Sequence, residues 1–104
     1  MVNNIFTENG IELPTIESAD AMKNPTAVAK FSNGKWCWFI IGGKPLPDDD
    51  FYLYGLVNGI EKELGMFTLK QILEVGAELD ADFTPIGVYD IYDDFDLRKE
   101  TDGA

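Results

Sequence analysis

Two runs of aspartate come closest, by residue type and spacing, to a chemical site. Asp48, Asp49 and Asp50 follow one another directly, and Asp90, Asp93, Asp94 and Asp96 fall close together late in the chain. A calcium loop draws about six to eight oxygens from a segment with a glycine-assisted turn and a closing bidentate glutamate, and neither run has that spacing. Paired carboxylates for glycoside hydrolysis need a cleft and a separation of about 5–10 Å, which so small a domain rarely builds. The 104-residue chain has no histidine, which removes Ser-His-Asp and Cys-His nucleophile systems and histidine-bearing zinc sites. Its single cysteine, Cys37, forbids an internal disulfide and, between Trp36 and Trp38, reads as a buried apolar thiol in a reducing compartment. The glycines offer no phosphate loop: Gly42-Gly43, Gly55, Gly59 and Gly65 have neither a following Lys-Ser/Thr nor a strand–turn–helix frame. No catalytic residue, metal site or cofactor is therefore expected, and binding is favoured over catalysis.

Charge is the strongest compositional signal. Nineteen Asp and Glu against eight Lys and Arg give −11, and the imbalance is uneven. Residues 1–52 carry seven acids and four bases, a net of −3, whereas residues 53–104 carry twelve and four, a net of −8. Between Gln71 and Leu97 there are eight acids and no base. Such a field repels phosphates, so direct nucleic-acid binding is disfavoured even though Trp36, Trp38, Phe39, Phe51, Tyr52, Tyr54 and Phe67 could stack bases. It attracts a basic protein surface, including one built to hold DNA. Carboxylates fixed on a sheet and a late segment would imitate the phosphate array of a duplex, which has one charge per ~1.7 Å of axis. The candidate contact residues are Asp90, Asp93, Asp94 and Asp96 first, then Glu61, Glu63, Glu74 and Glu78, with Tyr89 and Tyr92 as aromatic anchors between acids.

These residues must be positioned by a single domain, because the length allows one core and the 45% hydrophobic content can fill it. The longest apolar run, Trp36 to Ile41, is far short of the ~20 residues a bilayer requires, and no basic, apolar leader opens the chain, so a cytoplasmic protein is expected. Residues 1–24 read as an extended lead-in with one helical turn near Ser18 to Lys23, closed by Pro25. Thr26–Phe31 and Lys35–Ile41 read as a hairpin joined by Asn33-Gly34, a type I′ signal. The second of these strands is apolar on both alternating faces and should be central. Gly42 to Asp50 reads as a loop, and Phe51–Val57 as a strand returning through Asn58-Gly59 to Ile60–Phe67, whose Glu61, Lys62 and Glu63 mark a solvent-facing edge. Thr68 and Gln71 form a capping box, Phe67 and Ile72 have the spacing of a hydrophobic staple, and Gly76 closes a short helix whose Leu69, Ile72, Leu73 and Val75 face the sheet. A strand is expected near Phe83 to Tyr89, while Asp90 to Leu97 fits a helical turn or an extended edge equally well. Residues 1–12 and 97–104 read as loosely ordered ends.

The stretch from Gly55 to Leu69, Gly-Leu-Val-Asn-Gly-Ile-Glu-Lys-Glu-Leu-Gly-Met-Phe-Thr-Leu, closely resembles the glycine-rich signature of a bacterial, plasmid and phage family catalogued as domain of unknown function 2958. Asn24-Pro25 through Phe31, Gly34, Trp36-Cys37-Trp38-Phe39-Ile40, Leu13-Pro14 and Asp82-Phe83-Thr84-Pro85 look like further landmarks of that family. The likeness covers roughly residues 13–86; the loop at residues 43–50 is variable in the family, and the acidic segment after Ile86 departs from its usual ending. The family has no established catalytic residues to carry over. The resemblance implies a setting on mobile elements, often near anti-restriction or DNA-processing genes.

Together these readings give an α+β domain, an antiparallel sheet of about four or five strands with one short helix packed on it. The expected role is a mobile-element accessory protein that binds and inhibits a basic host protein handling nucleic acid, of anti-restriction or anti-CRISPR type, acting as a DNA mimic. The alternative is a non-inhibitory structural or regulatory module that uses its apolar sheet edge. A small metal-dependent enzyme is the third class considered.

Overall fold

The computed structural model describes residues 5–91. Two short helices come first among the described residues, α1 (Ile5–Glu8) and α2 (Ile16–Asp20), where an extended lead-in with a single later turn was expected. Eight strands and helices follow: β1 (Thr26–Ala27), β2 (Ala29–Ser32), β3 (Cys37–Leu46), β4 (Asp50–Asn58), β5 (Lys62–Thr68), α3 (Leu69–Glu74), β6 (Glu78–Leu79) and β7 (Ile86–Gly87), before a last turn, α4 (Val88–Ile91). The main sheet is antiparallel, in the order β5-β4-β3-β2-β6, and β1 pairs with β7 in a separate two-stranded ribbon. This is an α+β fold with a five-stranded sheet, and its helical segments are short.

β3 is central because its side chains are apolar on both faces. Trp38 and Ile40 enter one core with Phe6, Phe31, Leu53, Phe67, Leu69 and Ile72, roofed by α1 and α3. Phe39 and Ile41 enter a second core with Ala19, Ala27, Leu56 and Val88, roofed by α2, the ribbon and α4. Burying each such large side chain contributes about 1.5–3 kcal/mol, so both faces must be covered for the strand to be stable. Within the first segment expected to be loose, Phe6 is held in the core: it is only 2% exposed and meets Phe31 and Phe51 edge to face, while residues 1–4 and 97–104 lie outside the described residues.

The segment expected to be a loop, Gly42 to Asp50, is mostly strand. β3 runs on to Leu46 after a bulge at Ile41, which puts Ile41 and Gly42 on the same face. α2 lies directly over Gly42, where a Cβ would stand 2.8 Å from the Pro14 carbonyl oxygen, and Gly43 N–H donates to that carbonyl at 3.0 Å. The glycine pair thus serves close approach, not a turn. The turn falls one step later: Asp48 and Asp49 take the left-handed φ values of +67° and +58°, and Leu46 pairs with Asp50. Their neighbour Asp50 accepts the Phe51 and Lys70 amides, and the Lys70 ammonium donates to the Asp48 carbonyl. The first aspartate run is a turn and a brace.

Asn33-Gly34 does not make a two-residue turn either. Ser32 pairs with Cys37, and the Asn33 carboxamide accepts the Lys35 and Trp36 amides, closing a four-residue loop in which Gly34 alone has positive φ. Helix α3 follows expectation more closely. Thr68 and Gln71 exchange both capping-box hydrogen bonds. Gly76, at φ +86°, ends the helix with its N–H on Leu73 and the Ala77 N–H on Ile72, the Schellman pattern. Val75, expected to face the sheet, is 57% exposed because it falls past the last helical turn.

Candidate acidic interface

Among the described residues, the acids named from the sequence do not form one stripe. Glu61 lies in the β4–β5 turn and Glu63 on edge strand β5, where it shares the α3 side of the sheet with Trp38 and Val57. Glu78 lies on the opposite edge strand, β6, with four strand spacings, about 19 Å, separating it from Lys62 across the sheet. Glu74 is exposed on α3. Tyr92, Asp93, Asp94 and Asp96 lie outside the described residues. Tyr89 is half-buried against the second core, and its amide donates to Asn24 Oδ1 at 3.1 Å. Cys37 is likewise half-buried against that core, not fully enclosed.

What the fold does gather is a smaller group around Asp90. Asp80, Asp82 and Asp90 line a hollow of about 380 Å³ whose apolar lining comes from Phe83, Ile86 and Ile91. Each wall has a local cause. The Asp82 amide donates to Asp80 Oδ1 at 3.0 Å, an Asx turn that sets the loop after β6, and the Asp80 amide is held by the Lys30 carbonyl at 2.9 Å. Phe83 leans on Phe39 of the central strand, with ring centroids 6.0 Å apart. Across the hollow, Asn24 ties α4 to the chain before β1: its amide donates to Asp90 Oδ2 at 2.9 Å while its carbonyl accepts the Tyr89 amide. Gly87 admits the Asn24 side chain, since a Cβ there would stand 2.4 Å from Nδ2. Val88 N–H on the Pro25 carbonyl completes the clamp.

The hollow therefore presents three carboxylates, those of Asp80 and Asp90 held by hydrogen bonds, beside exposed apolar surface; Ile86 is 39% exposed. Among the described residues no cationic side chain lines it. Lys30, whose amine lies 5.6 Å from the Phe39 ring centroid on the same side of the sheet, is not among its walls. On this side too, the Tyr54 hydroxyl donates to Asp20 Oδ1 at 3.4 Å; burial, then the Asp20 charge and this hydrogen bond, and last Tyr89, raise the Tyr54 pKa above its ordinary value of 10.0. Among the described residues no three His, Cys, Asp or Glu side chains are grouped to hold a metal ion, and no helix is long and apolar enough to cross a membrane.

Asp80, Asp82 and Asn24 were not singled out from the sequence as site residues. Asp80-Ala81-Asp82 carries a legible turn signal. Its approach to Asp90 depends on β1 pairing with β7 across 60 residues, which no local pattern announces. No family model, curated protein or solved structure matches this chain.

Proposed function

We propose that this protein is a non-catalytic binding domain whose acidic hollow docks a basic surface of another protein. The observation that carries the reading is the convergence of Asp80, Asp82 and Asp90 around Phe83, Ile86 and Ile91 with no base in the described lining. Hydrogen bonds from Asn24 and within the Asx turn hold two of those carboxylates, so the charge is pre-positioned and little side-chain entropy is lost on contact. The net −11 charge steers a cationic partner from beyond a Debye length of ~8 Å only weakly, and strongly inside it. The apolar walls would then supply the short-range part of the affinity.

The partner class is a nucleic-acid-handling protein, whose basic face matches this charge. The resemblance to a family of mobile elements makes a host defence or DNA-processing protein the natural target, and blockage the natural effect. Such targets work in the cytoplasm, and the proposed activity belongs there with them. The test is affinity capture from a bacterial lysate with the wild type and the Asp80→Asn/Asp82→Asn/Asp90→Asn variant, at about 0.1 and 0.5 M salt. Capture that is lost in the folded variant and at high salt supports the reading. Capture that survives both changes overturns it.

A further inference from the structure

On the opposite face of the sheet, between α3 and the β2–β3 loop, lies an apolar groove of about 320 Å³ lined by Trp36, Trp38, Phe67, Gln71, Ile72 and Val75. Its aromatic wall is fixed before any partner arrives. Trp36 and Trp38 stack with centroids 6.1 Å apart at 26°. The Trp36 amide donates to Asn33 Oδ1 at 2.8 Å, and Asn33 Nδ2 donates to the Val75 carbonyl at 3.0 Å, joining the loop to the end of α3. The Trp36 ring rests on Gly59, where a Cβ would stand 2.4 Å from the ring. That contact explains a glycine at a position whose φ does not require one. Despite these contacts Trp36 stays 38% exposed and Val75 57% exposed.

Among the described residues no cationic side chain lines this groove, and two exposed acids flank it. The cross-strand row Trp38–Val57–Glu63 puts Glu63 on the groove face, two strand spacings or about 10 Å from β3. Glu74, three residues beyond Gln71 and next to Val75, lies on the helix side of the groove and is exposed. Between Glu63 and Phe67 on the same face of β5 comes Gly65, where an added Cβ would meet nothing within 4 Å, so the groove runs open toward the sheet edge.

We infer that this groove is a second docking site, taking an arginine-bearing segment of the partner whose guanidinium lies over the Trp36 ring and whose charge is met by Glu63 and Glu74. The inference rests on the reading of the protein as a binder of basic partners, and names a different face for a second contact. An aromatic plane with carboxylates at its rim suits a guanidinium better than a neutral apolar chain, because the ring attracts the cation electrostatically and the acids add to that attraction. A second copy of this chain is disfavoured as occupant by its own −11 charge.

The test is a two-dimensional NMR titration of the full chain with the peptide acetyl-Ala-Arg-Leu-Arg-Ala-amide and with its counterpart carrying glutamine for arginine. The arginine peptide is expected to shift the Trp36 indole and the Asn33, Gln71 and Val75 amides, and the glutamine peptide to leave them in place. Trp36→Ala should weaken the arginine peptide about tenfold. Gly65→Lys, which has open space for its side chain and places a lysine on the groove face, should weaken it similarly without disturbing the fold. Equal shifts from both peptides would overturn the inference, as would the same shifts on concentrating the protein alone. Shifts confined to Asp80, Asp82 and Asp90 would overturn it while leaving the acidic hollow as the binding site. Failure of the hollow itself is read separately, from capture that survives its neutralisation.

Discussion

Replacing Asn24 by aspartate should break the acidic hollow by electrostatics while leaving the main sheet standing. The Asn24 amide nitrogen lies 2.9 Å from Asp90 Oδ2, so an aspartate carboxylate of the same shape places like charge at that distance. Coulomb's law gives about 1.4 kcal/mol of repulsion for unit charges 2.9 Å apart in bulk water, and more with partial screening by protein. The exposed hydrogen bond to a charged acceptor that is lost adds about 1 kcal/mol. The variant should therefore be about 2–3 kcal/mol less stable near pH 7. Asn24→Ala, which drops the bonds without adding charge, provides the reference at about 1–2 kcal/mol. The sign with pH follows from linkage. Repulsion from Asp90 raises the pKa of the introduced carboxylate in the folded state above its unfolded value of about 3.9. The repulsive part of the deficit is then absent below that value and grows as pH rises through the folded pKa. Urea denaturation at about pH 3.5 and pH 7 measures it, and hydrogen exchange at the Tyr89 amide reports whether α4 opens first. An Asn24→Asp protein as stable as the wild type at pH 7, or equally weakened at both pH values, would refute this account of the clamp.

Three further outcomes follow from the same geometry. Gly55→Ala should prevent folding, since its Cβ would lie 2.1 Å from the Phe39 carbonyl oxygen in the centre of the sheet, while Gly65→Thr, with open space, should raise the melting temperature by a few degrees. Thr68→Ala removes a paired cap and should cost about 1 kcal/mol, about 4–8 °C of melting temperature for a domain of this size. Because the Tyr54 pKa is raised on folding, stability should begin to fall as pH passes the ordinary tyrosine value of 10.0, and Tyr54→Phe should lose that component; a phenolate absorbance titration compared between the two proteins checks it.

Sequence pattern carried the central strand and helix α3 because both are written in local, repeating terms. β3 is apolar at every position from Trp38 to Ile41, which suits a strand buried on both faces, and Thr68 and Gln71 state a helix start within four residues. The edge position of β5 was legible in Glu61-Lys62-Glu63 for the same reason. Gly42-Gly43 misled because glycine marks either a turn or a close approach, and the Pro14–Thr15 backbone leading into α2, which requires the approach, lies almost 30 residues earlier. The lead-in misled because α1 and α2 are each a turn or so long and owe their helicity to burying Phe6 and Ala19, not to propensity. Of the candidate site, single residues such as Asp90 were visible, but their neighbours were not. Asn24 is an unremarkable residue before a proline until β1 and β7 pair and bring it to Asp90. Charge counts likewise say how negative a segment is, and nothing about Glu63 and Glu78 lying on opposite edges of one sheet.

The most direct measurement is competition. A protein captured on the immobilised domain at low salt should be released by duplex oligonucleotide, because the account has both ligands use the same basic face. Release with a midpoint that follows the oligonucleotide's own affinity for that protein is the predicted result. Capture that stays constant while the oligonucleotide saturates the captured protein would contradict the account.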